Sequence, residues 1–284
     1  MLKQYSIRDM PVKFPKQVLY YVCSLEEVDE SRLVWPHKRS FYSITWFIEG
    51  HGINVIDFTE YPILPNRIFL TSPEQVHNRT FHSDAKGYIL MLDKALVTQL
   101  GINFTSPYID MGNDNIPLLK LVIENIINKK KDSAIEIDLL YFYSLIIDQI
   151  DNKNAKSKET NILFREFKKL ILSNNYKIES MNQYADTLHI SVTSLNDICQ
   201  IFTGISAKQF LLDVKITEAK RLLIYSQLNI SNIAYKLGFE DASYFARIFK
   251  KKTISSPSAF LKKYRRQTQN LINKADLTTG KKNI

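Results

Sequence analysis

Ser243, Ala246, Arg247 and Lys250 stand at i, i+3, i+4 and i+7, so a helix through them gathers one cation-bearing stripe, which Lys251 and Lys252 extend. Small residues beside an arginine suit close approach to the major groove of DNA, where guanidinium reads base edges and ammonium meets phosphate. Phe245, Ile248 and Phe249 fall on the opposite side and predict a buried face. An ordinary amphipathic helix with a solvated basic face would show the same pattern. What positions the stripe is the segment before it. Ile233, Ala234 and Leu237 form the apolar side of a preceding helix, Gly238 can take the positive φ that ends it, and Asp241 can cap the next. Residues 233–257 are thus predicted as two short helices joined by a tight turn.

The chain repeats this pattern about fifty residues earlier. Thr193-Ser194-Leu195-Asn196-Asp197-Ile198 answers Ser243 to Ile248, Thr203 to Ala207 answers Thr253 to Pro257, and Tyr184-Ala185 with Leu188 answers Ile233-Ala234 with Leu237. A duplicated helix-turn-helix follows from the repeat. Ser180 with Gln183 three residues on is a capping-box signal for the first unit. The recognition stripe of that unit would be Thr193, Asn196, Asp197 and Gln200. Asn and Gln can read adenine and Asp can accept from cytosine, although a carboxylate near phosphate costs affinity. Between the copies, residues 207–225 lack Gly and Pro and predict one helix of roughly 28 Å, near the ~34 Å that separates successive major grooves on one face of DNA.

Charge is segregated along the chain. Residues 1–150 carry 15 Lys and Arg against 18 Asp and Glu, whereas residues 160–266 carry 17 against 8. A surplus confined to one region is the electrostatic footprint of a DNA-binding module. The 284 residues, 45% hydrophobic, have room for two domains with packed cores. No apolar run approaches twenty residues and the first ten residues do not form a signal peptide, so a cytoplasmic protein with no membrane partner is expected. Cys23 and Cys199 give no disulfide framework and are read as small hydrophobes.

The first hundred residues are strand-like. Phe41 to Ile48 is β-branched and aromatic, Glu49 to Gly52 reads as a turn and Ile53 to Phe58 as a second strand, giving a predicted hairpin. Pro65-Asn66 suits a turn before a strand at Arg67 to Leu70, and Tyr88 to Leu92 reads as a buried strand, so a small barrel or sandwich is expected. From Ile116 to Ile150 the period becomes helical: Leu118, Leu119, Val122 and Ile126, then Leu139, Leu140, Tyr143, Ile146, Ile147 and Ile150, with Lys129 to Asp132 between them. One stripe of this helix pair would pack on the barrel; a second, exposed one would pair with another subunit. Residues 151–161 are polar and read as a linker. The helix Ser258 to Arg266 is basic, and the tail from Gln267 has little apolar periodicity.

The run AKRLL…ISNIAYKLGFEDASYFARIFKK…SP, within residues 162–266, resembles the DNA-binding domain of AraC/XylS-type transcription regulators. It departs from that pattern at Ile254, where the family usually has Gly, and at Asp197, where Arg is common. The segments PHKRSFYSITWFIEGHG and PNRIFLTSPEQVHN resemble the two motifs of the cupin-like sensor barrel that precedes this domain in many such regulators. The resemblance implies an α+β multidomain protein: a cupin-like effector-sensing barrel at 1–110, a helical pair at 111–150 that dimerises, the linker, the DNA-binding domain at 162–266 and a tail at 267–284. A metal-binding cupin offers a His-x-His pair, a Glu and a third His; here Arg39 takes the second His place and Ser43 stands near the Glu place. His37 and His77 alone are too few for a metal, and Arg39 repels a cation, so neither metal nor other cofactor is expected. The barrel would instead hold a small molecule, with His37, Arg39, Tyr42, Trp46 and His77 as candidate contacts and Arg39 suited to an anion; aromatic packing and a solvent-facing Arg are the other reading. What is implied overall is an effector-responsive activator that binds double-stranded DNA as a homodimer and engages RNA polymerase. The alternative is a metal-dependent cupin enzyme fused to a DNA-binding domain.

Overall fold

The computed structural model describes residues 4–10, 19–28, 37–104, 106–128, 135–153, 158–173 and 180–264. It divides into two compact units, residues 2–155 and 156–284.

In the first unit the strands run, in chain order, β1 (Gln4–Tyr5), β2 (Tyr20–Ser24), β3 (His37–Arg39), β4 (Tyr42–Glu49), β5 (Gly52–Ile56), β6 (Thr59–Ile63), β7 (Arg67–Thr71), β8 (Val76–Phe81), β9 (Lys86–Leu92) and β10 (Tyr108–Asp110). They form two five-stranded sheets, ordered β1-β3-β8-β5-β6 and β10-β7-β4-β9-β2. Every pairing is antiparallel except β1 with β3. Alternation sorts β4 into two faces. Phe47 joins Phe69, Ile56, Ile89 and Met91 in the core between the sheets, whereas Ile44 and Trp46 join Leu90 and Leu92 in a second core. That second core is closed by α1 (Lys94–Gln99), α2 (Ile116–Asn128) and α3 (Ile135–Lys153), through Leu96, Leu119, Val122, Ile123, Ile126, Leu139, Phe142 and Ile146.

The predicted hairpin between Phe41–Ile48 and Ile53–Phe58 does not form. β4 pairs with β7 and β9, while β5 pairs with β6 and β8, so the two strands lie in different sheets. The hairpin that does form joins β5 to β6 through Asp57 and Phe58, at φ 50° and 66°. Positive φ at both central residues is the turn whose twist matches antiparallel strands. Asp57 holds that turn to β8, accepting from Val76 N at 3.1 Å and Gln75 Nε2 at 2.7 Å. Asn66 takes the expected left-handed position at φ 60°. Arg67 locks β10 in place by donating from Nε and Nη2 to Asp110 at 2.6 and 2.9 Å, with its guanidinium 4.0 Å over the Tyr108 ring. Leu140, expected within the apolar stripe of α3, is exposed.

The second unit is helical: α4 (Lys158–Ser173), α5 (Met181–Thr187), α6 (Val192–Thr203), α7 (Ala207–Tyr225), α8 (Ile230–Lys236), α9 (Ala242–Thr253) and a last helix over 257–264. Helices α3 and α4 run into the segment predicted as a linker, covering 151–153 and 158–161; Lys and Glu favour helix without supplying an apolar stripe. α7 has the predicted bounds. The tail from 267 lies outside the described residues.

Candidate nucleic-acid interface and barrel interior

The two helix-turn-helix units agree down to their caps. Leu188 N and Leu237 N each close the first helix of their unit, and Ile190 N and Phe239 N reach back to Ala185 O and Ala234 O at 3.0 Å. The left-handed turn residue is His189 at φ 55° in one and Gly238 at φ 70° in the other. Ser191 caps α6 by accepting from Ser194 N at 3.0 Å, and Asp241 caps α9 by accepting from Tyr244 N at 2.5 Å. Thr203 and Thr253 bond back to Cys199 O and Phe249 O at 2.7 and 2.8 Å. Each second helix therefore leaves its turn under the same constraints. Leu195, Ile198 and Cys199 are buried under α6, and Phe245 and Phe249 under α9. Burial pushes the Cys199 thiol up to about 12, which suits a small hydrophobe in a core.

On α9 the outer side presents Ser243, Tyr244, Arg247, Lys250 and Lys251, with Ala246 half-buried. Tyr244, which the sequence reading passed over, lies with its ring 6.0 Å from the Arg247 guanidinium. The signal for it was helical position, one residue after Ser243 on the exposed side. Lys252 is also exposed, but its ammonium is paired with Asp213 of α7 at 2.6 Å. On α6, Thr193, Asp197 and Gln200 are exposed. Asn196 is half-buried, and its Oδ1 accepts from Ala207 N at 3.0 Å, so this side of the amide is committed to the start of α7. Gln200 Nε2 donates to Gly204 O at 3.0 Å. Apart from Ile201, the described surface of α6 is polar with one carboxylate; that of α9 is cationic.

Beneath the second turn, Lys215 of α7 is 5% exposed, donates to Gly238 O at 3.4 Å and lies 5.2 Å over the Phe239 ring. A cation there meets the carbonyl end of α8.

In the first unit the structure separates the candidate contacts. His37, Arg39 and His77 are all buried on the face between the sheets, with the His37 and His77 rings 6.1 Å apart. Tyr42 and Trp46 are on the other face of β4: Tyr42 meets the Phe104 ring edge-on at 5.3 Å, and Trp46 packs in the core under α2 and α3. They are not lining residues of the barrel, because even-numbered positions of β4 all point away from it. Arg39 is 1% exposed and so is not a solvent-facing Arg either. The interior also holds Thr45, Asn54 and Arg79, which the sequence reading missed. Their signal was present: His37-Lys38-Arg39 is repeated as His77-Asn78-Arg79, and period two puts both pairs on one face. Arg79 Nη1 donates to Thr45 Oγ1 at 2.9 Å across the barrel, and His77 Nε2 lies 3.1 Å from Asn54 Oδ1. Burial first, then the charges of Arg39, Arg79 and His37, hold the His77 pKa well below the usual 6.5. Among the described residues no group of three or more His, Cys, Asp or Glu stands where it could share a metal ion, and no helix is long and apolar enough to cross a membrane.

A helix-turn-helix domain model matches residues 184–263, and an AraC-like ligand binding domain model matches residues 20–133. Among curated relatives, the HTH-type transcriptional regulator YfiF of Bacillus subtilis is 27% identical over 88% of this chain and 86% of its own length. The HTH-type transcriptional activator RhaR of Salmonella dublin is 25% identical over 78% of this chain and 85% of its own. Among solved structures, ToxT of Vibrio cholerae O395 aligns over 79% of this chain and 90% of its own, at 17% identity and a TM-score of 0.43.

Proposed function

The chain belongs to the AraC family of DNA-binding transcription regulators, and from that premise we propose that it is a cytoplasmic, effector-responsive activator that works as a dimer. The observation that carries the DNA-binding part is the duplicated unit with an exposed cationic stripe, Arg247, Lys250 and Lys251, on its second copy. In this reading α9 supplies the phosphate-driven affinity, with Ser243, Ala246 and Arg247 nearest the bases, and Thr193, Asp197 and Gln200 of α6 add discrimination. Asn196 contributes through the amide group left over from its bond to Ala207. The roughly 28 Å of α7 spaces the two helices for successive major grooves.

The barrel at 1–110 is the effector domain, and the helices between 111 and 150 are the dimer surface. Leu121, Ile137, Leu140 and Tyr141 support the latter, as apolar side chains left exposed beside the core they flank. Effector binding shifts which half-sites the dimer occupies together. The name of RhaR as an activator supports that sign of regulation here, with RNA polymerase as the partner.

The test is binding of the purified protein to a genomic fragment library across salt concentration, wild type beside Arg247→Ala. Enrichment of a few sites with a steep salt slope, lost in the variant, is the expected result. Weak and uniform binding that the variant shares would remove α9 from the interface.

A further inference from the structure

The barrel interior is built to more than one chemical requirement, and together they name a class of ligand. β3 and β8 face each other with His37 opposite His77, and β5 sets Asn54 opposite Arg79. Period two then turns His37, Arg39, Asn54, His77 and Arg79 toward β4 of the other sheet, where Thr45 meets Arg79 at 2.9 Å. Arg39, Asn54, His77 and Arg79 are each nine-tenths or more buried. The register places Arg39 and Arg79 on either side of the His37–His77 pair with both turned to the same interior, and a guanidinium presents a planar fork that fits a carboxylate or phosphate.

His77 and Asn54 set a second requirement. They use one atom each on the other, Nε2 against Oδ1 at 3.1 Å. His77 Nδ1 and Asn54 Nδ2 have no hydrogen-bond partner among the described residues. With Nε2 donating to Oδ1, Nδ1 is left as an acceptor and Nδ2 as a donor. Two hydroxyls of one polyol serve them, one giving its proton to Nδ1 and another accepting from Nδ2. With the amide turned over the two roles exchange, and two hydroxyls still serve them. A purely apolar ligand would leave both atoms buried and unsatisfied, at a cost in affinity.

We propose that the barrel takes a small polyhydroxylated anion, a polyhydroxycarboxylate or the phosphate ester of a polyol, with the Arg39 and Arg79 guanidiniums drawing the anionic group and the His77–Asn54 pair on its hydroxyls. This rests on the reading of the barrel as an effector domain. The low pKa of His77, set first by burial and then by the charges of Arg39 and Arg79 with His37, agrees with an interior that favours an anion.

The test is thermal unfolding of the full chain at constant ionic strength with each of six probes at about 10 mM: glycerate, D-gluconate, glycerol 3-phosphate, glycerol, D-glucitol and propionate. Stabilisation by glycerate, gluconate or glycerol 3-phosphate, and not by the uncharged polyols or the hydroxyl-free propionate, is the expected pattern. Carboxylate against phosphate response identifies the anionic group. Arg79→Gln and Arg39→Gln should each weaken the best probe about tenfold or more. Should either fail to fold, Arg79→Lys keeps the charge and removes the fork, and Asn54→Ala tests the hydroxyl end by closing the gap between glycerate and propionate. Equal response to glycerol and glycerate, or no response to any of the three hydroxylated anions, overturns the proposal. The same probes added to the fragment-library experiment separate the two readings. DNA binding that answers to the neutral polyols keeps an effector domain and loses this ligand class; DNA binding that answers to none of the six loses both.

Discussion

Ile254 holds φ 66° and ψ −7° at the end of α9, where the first unit places Gly204 at φ 73° and ψ 6°. A β-branched residue in the left-handed region costs about 1–2 kcal/mol. The side chain is 92% exposed, so burial returns nothing. Ile254→Gly is therefore expected to stabilise the helical unit by about 1 kcal/mol, after the extra freedom of glycine in the unfolded chain is subtracted. A denaturant midpoint that rises at unchanged slope would show it; a midpoint that falls would mean the isoleucine has a partner in the native state. His77 makes the opposite kind of prediction. Its folded pKa lies well below the unfolded 6.5, through burial and then Arg39, Arg79 and His37. Below about pH 6.5 the unfolded chain takes up a proton that the folded barrel refuses. Stability is thus fully present above that pH and lost as pH falls, by up to about 1.4 kcal/mol per pH unit. His77→Asn should flatten this slope in acid unfolding of the barrel, and an unchanged slope would place the titration elsewhere.

At the scale of elements, the duplication gives two recognition helices of different electrostatic character. Lys250→Ala should weaken binding to every sequence and reduce the salt slope by about one, because a phosphate-facing charge releases counterions wherever it binds. Asp197→Asn should tighten binding at low salt, by removing a carboxylate from beside the phosphates. Asn196→Ala should act mainly on the fold, costing about 1 kcal/mol of stability as the N–H of Ala207 loses its acceptor; thermal unfolding without DNA reads that directly. How much of this was legible follows from which forces set each element. The helical repeats were readable to the residue, since caps, apolar stripe and turn are all local: α7 begins and ends where predicted, and Ser180, Asp241 and Gly238 act as their types require. The barrel was readable only as strands. Which strand pairs with which, and so whether Tyr42 and Trp46 face the interior, is fixed by contacts between residues far apart in the chain, such as Trp46 with Ile68 on one side and Tyr88 on the other. Asp57-Phe58 reads as strand because Asp57 alone carries a turn signal, and an aromatic residue such as Phe58 does not announce a positive φ.

At the scale of the whole molecule, an acidic first half and a basic second half divide the labour, and dimerisation is what would let one operator see four recognition helices at once. In the proposed dimer α3 would supply that surface. Leu139, Phe142 and Ile146 point into the core, leaving Ile137, Leu140, Tyr141 and Ser144 on a second stripe at i, i+3, i+4 and i+7. Ile137 is 68% exposed and Tyr141 45%. Aspartate at both positions leaves the buried stripe intact, so the barrel and its core should unfold as in the wild type. If the stripe is the dimer surface, sedimentation velocity should show the double variant as a monomer where the wild type is a dimer. Because linked half-sites bind as one, the loss should appear as a steep drop in affinity for a full operator and almost none for an isolated half-site. An equal loss on both sites would place the aspartates in the path of DNA, and unchanged affinity with a surviving dimer would move the interface off α3.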